Sequence, residues 1–197
     1  STMGSRNARR LVTVCLAKAM RMGELAETSH NKGRVPKLKD VTEGIEGFQL
    51  KIKTKQDKWY RGTTVSVEED RRNKHICGVK AIKECLEESH YENEEEKVLF
   101  CSKEGTALTT TFVIKKLHEA LQKSKLSTQG MTTKVCRRGR VQEEKEQGAS
   151  GNEIKKLGRW ATNCWKVYAE KDDRSKRSRK VECRAMLQSI IYLVEGC

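Results

Sequence analysis

Between Ala8 and Leu25, apolar side chains fall at Leu11, Val14, Cys15, Leu16, Ala19, Met22 and Leu25. Spacing by threes and fours places them on one helical face, so an amphipathic helix is expected over 8–25. The period changes at residue 48. Phe48, Leu50 and Ile52 alternate with polar residues, "QDKWYRG" interrupts, and the β-branched "TTVSV" follows. This pattern predicts a β-hairpin whose first strand ends near Lys53 to Lys55. A helix is expected from about Ile76 to Glu88, then a solvated charged stretch through "YENEEEK", a short strand at "VLFCS" and a turn at "KEG".

Further along, the threonines at 109–111 supply an N-cap for a helix reaching about Lys123. "TTKVCRRGRVQEEKEQ" is expected to be helical, "GASGN" breaks the chain, a short helix covers Asn152 to Leu157, and another carries Tyr168. "KDDRSKRSRK" is basic and turn-like, and "VECRAMLQSIIYLV" reads as a final apolar helix. The order of helix, hairpin, then mostly helices predicts an α+β, mainly α fold. Its 197 residues suit one domain with a real core. The opening STMGS reads as the remnant of a cleaved expression tag, 6–170 as the domain, and 171–197 as a basic linker and C-terminal helix.

Composition narrows the partners. Charged residues make up 35% of the chain, but both signs are present and the apolar spacing is regular, which argues for a packed domain rather than disorder. The excess of 41 Lys+Arg over 27 Asp+Glu leaves a net charge of +14. Such a field favours a polyanion, nucleic acid first and an anionic membrane surface second. The longest apolar stretch, Ala185 to Val194, is interrupted by Gln188 and Ser189 and is far shorter than the ~20 residues needed to span a bilayer. Nothing near the start reads as a signal peptide. Eight cysteines, Cys15, Cys77, Cys85, Cys101, Cys136, Cys164, Cys183 and Cys197, contain no C-x-x-C pair. His75 and Cys77 are the nearest approach to a ligand pair and have no local partners, so buried, reduced thiols and no metal site are expected, in a reducing compartment.

The candidate chemistry lies in basic residues scattered along the chain at the edges of predicted elements: Arg21, Lys55, Lys134, Arg137 and the Arg159/Trp160 pair, with Tyr168 after them. Any one of these, among so many Lys and Arg, reads as surface charge, and Tyr168 alone would read as a core side chain. In order, they resemble the catalytic domain of the tyrosine recombinase/integrase family over about residues 8–170. "AMRMGELAE" is similar to that family's first arginine motif, with Arg21 followed three residues later by Glu24. "KIKTKQDKWYRGTTVSV" is similar to its β-hairpin, whose lysine would be Lys55, with Lys53 as a rival. "TTKVCRRGR" stands where the family has His-x-x-Arg, giving Lys134 and Arg137. "IKKLGRW" resembles the LGRW form of the next box, found in crypton-type and DIRS-type mobile elements, and Tyr168 follows eight residues after Trp160.

The resemblance implies a small antiparallel hairpin or sheet packed on a helical bundle, and DNA strand cleavage and rejoining through a 3′-phosphotyrosyl link with no cofactor. Tyr168 would be the nucleophile, and Arg21 and Arg137 would bind the non-bridging phosphate oxygens. Lys55 would protonate the leaving oxygen, Trp160 would donate its indole N–H, and Glu24 would orient Arg21. Arg138, Arg159, Lys53, Arg174, Lys176 and Arg177 would contact DNA. Double-stranded DNA, a homo-oligomer of two or four protomers on it, exchange of the C-terminal segment between protomers, and a nuclear location (cytoplasmic outside eukaryotes) belong to the same expectation. Two departures stand out. Lys134 replaces the usual His and is a poor base while protonated, and "RGRVQEEKEQ" is bulky and charged where relatives carry small residues. These support an alternative: a catalytically degenerate, domesticated relative acting as a DNA-binding or assembly module. A basic nucleic-acid binder without such ancestry is a third reading.

Overall fold

The computed structural model describes residues 2–53, 62–69, 76–88, 95–126, 128 and 131–169. Lys55, His75, Arg174, Lys176, Arg177 and the apolar C-terminal segment lie outside the described residues. Helix α1, Met3–Ala17, begins ahead of the expected Ala8, where the Thr2 hydroxyl accepts the Ser5 N–H at 3.3 Å. It is buried from Leu11 through Ala17 on every side, which makes it the central helix around which α2, α3 and α4 pack.

The expected helix over 8–25 stops early, at Ala17. Met20 N–H donates to the Cys15 carbonyl at 2.7 Å and Ala19 N–H to that of Leu16 at 3.2 Å, a Schellman ending with Ala19 at φ 47°. Glycine is the usual occupant of that left-handed position, so an alanine there left no mark in the apolar spacing. A 3₁₀ turn, Met22–Glu24, follows.

Strands β1 (Val41–Gly44), β2 (Gly47–Ile52) and β3 (Thr63–Glu68) form an antiparallel sheet in the order β1-β2-β3, with Phe48 opposite Val67 and Leu50 opposite Val65. Phe48, Leu50, Ile52, Val65 and Val67 point into the core, while Gln49 and Lys51 face out. Helix α2, Gly78–Glu87, joins sheet to α1 through its first residue: a Cβ on Gly78 would lie 2.8 Å from Val67 Cγ1 and 3.1 Å from Ala17 Cβ. Cys77 caps this helix, its sulfur accepting the Lys80 N–H at 3.4 Å.

The strand expected at "VLFCS" is not formed. Val98 and Cys101 make only isolated bridges, to Lys37 and Ala107, and Leu99, Phe100 and Cys101 are all buried. Helix α3, Thr110–Lys123, is capped by the Thr109 hydroxyl, which accepts the Phe112 N–H at 3.2 Å. Helices α4 (Val135–Glu146) and α5 (Gly151–Gly158) follow, the second opened by a Ser150/Glu153 capping box. After a 3₁₀ turn at Asn163–Trp165, the short helix α6, Lys166–Ala169, carries Tyr168. A second, small core of Val141 and Ile154 is covered by Trp160, Trp165 and Tyr168. No helix among the described residues is long and apolar enough to cross a membrane.

Candidate active site

Four segments distant in sequence meet at one end of α1: the Schellman turn and 3₁₀ turn after α1, the start of α4, the end of α5, and α6. Ending α1 at Ala17 leaves the Lys18 and Ala19 carbonyls pointing away from the helix, and guanidinium groups take both. Arg137, in the first turn of α4, donates from Nε to the Ala19 carbonyl at 2.7 Å and from Nη2 to Glu24 Oε1 at 2.7 Å. Arg159 donates from Nη1 to the Lys18 carbonyl at 3.1 Å and from Nη2 to Glu24 Oε2 at 2.6 Å. Cations at a helix C-terminus are also favoured by its partial negative charge.

Glu24, expected to orient Arg21, is tied to it through the backbone. Its carboxylate accepts the backbone N–H of Arg21 at 3.1 Å, but its guanidinium partners are Arg137 and Arg159. Arg159, expected to contact DNA, has both ends of its guanidinium turned inward. The inward aim of Arg159 has a backbone origin. Arg159 ends α5 at φ 57°, with Trp160 N–H donating to the Lys155 carbonyl at 3.0 Å, and that left-handed turn aims its side chain at the end of α1.

Trp160 packs beneath Arg137, whose guanidinium carbon is 5.3 Å from the indole centroid, and beside Tyr168, with ring centroids 5.3 Å apart at 39°. Gly158 makes that seat possible: a Cβ there would fall 1.8 Å from the Trp160 ring. Trp165 fills the space over Gly151, where a Cβ would meet it at 2.7 Å.

Tyr168 is half-buried, with its ring 5.3 Å from that of Trp160 and its hydroxyl within the field of Arg21. Burial alone would raise its pKa. The neighbouring cations, Arg21 first and then Arg137 and Lys134, outweigh burial and hold the phenol below its ordinary value. Arg137 is pushed the other way from a satisfied ion pair: burial lowers it, Glu24 opposes, and Arg159 and Arg21 add to the lowering. It remains a cation at neutral pH. Beneath the site, the Cys15 and Cys136 thiols are fully buried, with burial pushing Cys15 up, so neither is exposed to react.

Of the sequence-derived candidates, Arg21, Lys134, Arg137, Trp160 and Tyr168 come together here. Lys134 is exposed just before α4. Lys53 is exposed directly after β2, and Arg138 is half-buried on α4. The charged run after Arg137 resolves within its own helix, where Arg140 pairs with Glu143 at 3.0 Å and Glu144 at 2.7 Å, leaving Val141 to enter the small core. The Lys18 and Ala19 carbonyls had no sequence signal, since an alanine in the left-handed region looks like any helical alanine.

The helical body with its small antiparallel sheet has the tyrosine recombinase fold. The XerH site-specific recombinase bound to its difH substrate in a pre-cleavage complex is similar to this chain at 19% identity and a TM-score of 0.57, over 91% of this chain and 48% of that one. The post-cleavage complex of XerH with a palindromic difH substrate gives 19% and 0.59, over 92% and 46%. The chain thus spans about half the length of those recombinases. No protein-family model matches it, and no curated protein is significantly similar.

Proposed function

We propose that this chain cleaves and rejoins DNA strands through Tyr168 by a 3′-phosphotyrosyl intermediate. The observation that carries this reading is the placement of the half-buried Tyr168 ring 5.3 Å from Trp160, itself 5.3 Å from the Arg137 guanidinium, where the charges of Arg21, Arg137 and Lys134 act on the phenol. The pocket favours the phenolate, and the proton leaves to water because the ring is only half-buried. The phenolate oxygen attacks phosphorus, Arg21 and Arg137 stabilise the charge on the non-bridging oxygens, and the bond to the 5′ oxygen breaks. Lys55, or Lys53, gives its proton to that leaving oxygen. Attack of a 5′-hydroxyl on the phosphotyrosine reverses the step, and each phosphoester broken is replaced by one of similar energy. The positive pocket assists deprotonation without the missing histidine, so Lys134 serves as a phosphate-facing cation.

The LGRW box supports a finer reading: integration or excision of mobile-element DNA in a nucleus, with two or four protomers assembled on double-stranded DNA. The test is incubation with nicked DNA that traps the cleaved strand, followed by a search for a protease-sensitive covalent adduct. The adduct should form with the parent chain and vanish in Tyr168→Phe while DNA binding persists. Binding without any adduct on the authentic site would instead select the degenerate DNA-binding module.

A further inference from the structure

Among the described residues, four helices end in the same Schellman hydrogen-bond pattern, and the residue in the left-handed position differs among them: Ala19 after α1, Lys125 after α3, Gly148 after α4 and Arg159 after α5. Gly148 is the unstrained choice; a non-glycine residue there carries a backbone cost. Arg159 carries that cost with its guanidinium committed to two acceptors, the Lys18 carbonyl and Glu24. Its neighbour on one side is Gly158, shaped to the Trp160 ring, and on the other is Trp160 itself. The side chain therefore fastens the Trp160 turn to the end of α1.

The second consequence is electrostatic. Glu24 carries one negative charge, and its two oxygens are divided between Arg137 and Arg159. The trio holds net charge +1, since two guanidinium groups face one carboxylate. Without Arg159, Glu24 and Arg137 would form a neutral pair, and the field that Arg137 projects toward Tyr168 would shrink. The cluster is shielded enough for this to matter: side-chain exposure is 7% for Arg137, 12% for Glu24 and 22% for Arg159.

We infer that Arg159 is a positioning residue of the candidate site: it occupies half of Glu24 so that Arg137 stays under-compensated, and it fixes Trp160 beneath Arg137. The inference rests on the recombinase reading for its catalytic consequence, but its electrostatic consequence stands independently.

The experiment uses the full chain and two variants. Arg159→Gly removes the side chain and relieves the left-handed strain together; Arg159→Gln removes only the charge and keeps the helix end. Ultraviolet titration of the phenolate band, with Tyr168→Phe subtracted to isolate one of the four tyrosines, should show the Tyr168 midpoint rising toward that of free tyrosine in both. Arg159→Lys, which keeps the charge, should restore part of the shift. Single-turnover adduct formation on nicked DNA should slow about tenfold or more, less than the ~10²–10³-fold typical of losing a direct transition-state donor, with affinity for uncleaved DNA within about threefold.

A folded Arg159→Gly or Arg159→Gln chain whose Tyr168 midpoint matches the parent's overturns the inference and leaves Arg159 a helix ending. If the parent forms no adduct but the midpoint still moves, the recombinase reading fails and the positioning role stands. If adducts form and the midpoint stays fixed, the reverse holds.

Discussion

On the α1–α2 face, Arg6, Arg9 and Arg10 meet Glu84 and Glu88, with Arg10 at 3.0 Å from Glu84 and 2.7 Å from Glu88; at the candidate site, Arg137 and Arg159 divide Glu24 with Arg21 close by. Arg10 and Arg137 are almost equally buried, at 5% and 6% exposure. Burial works against both cations. For Arg10, the hydrogen bonds to Glu88 and Glu84 prevail and raise it above its ordinary value. For Arg137, burial prevails over Glu24 and the neighbouring arginines add to the lowering. Arg10 is also tied to Asn7, which in turn reaches the Cys101 carbonyl at 2.9 Å. A buried arginine with enough carboxylate around it holds the fold together, whereas one with too little is prepared for an external anion.

Exchanging the two arginines for apolar residues tests this contrast most severely. Arg137→Met should slow adduct formation by about 10²–10³-fold, the effect of removing one transition-state donor, while costing less stability in urea than the loss of Arg10, because Glu24 keeps Arg159 as a partner. Arg10→Met should leave the chemistry alone and lose more stability, about 2–3 kcal/mol, as Glu84, Glu88 and Asn7 lose a shared donor. Its Tyr168 titration should be unchanged. A stability loss at Arg137 as large as that at Arg10 would erase the distinction.

Next in size is Gly158→Ala. The added Cβ overlaps the Trp160 ring, so the indole must move, at a cost of about 1–2 kcal/mol. Tryptophan emission should shift and adduct formation should slow with it, whereas an unaltered spectrum would show that the ring is not seated on Gly158.

The smallest effects are in pH. The folded-state value of Tyr168 lies below the ordinary phenol value of 10.0, so the stability it confers is complete only above 10.0 and is lost as pH falls through the lowered value. Arg21→Gln should move its ultraviolet midpoint upward. The Glu88 carboxyl is lowered, first by its hydrogen bond to Arg10, from an ordinary 4.5. Its contribution is present above 4.5 and is lost as pH falls through the lowered value. Acid unfolding should therefore be less steep in Arg10→Met, and added salt should shrink the difference because the carboxylate is partly exposed.

What could be read from sequence divides along physical lines. Helix α3 was legible because Thr109 is a local cap and its apolar residues repeat within the helix. Strands β2 and β3 were legible because alternation at Phe48, Leu50 and Ile52 is a one-face signal. Strand β1 was not: "VTEG" offers one apolar residue on a short edge strand. "VLFCS" misled because a continuous buried run looks the same whether it pairs as a strand or bends through the core. At the site, the residue types and their order were legible through the family resemblance. Their wiring was not. Glu24 stands three residues from Arg21, the expected partner, yet its guanidinium bonds reach across 113 and 135 residues to Arg137 and Arg159. Left-handed backbone at Ala19 and Arg159 decides that wiring, and neither residue type announces it.

The early end of α1 also bears on when the candidate site assembles. The Ala19 carbonyl waits for a guanidinium 118 residues downstream, and that of Lys18 for one 141 residues downstream. Contacts of such separation form only after the intervening chain has closed on itself. A nascent or partly unfolded chain thus carries Tyr168 and several loose arginines but no assembled site until α4 to α6 dock on the end of α1.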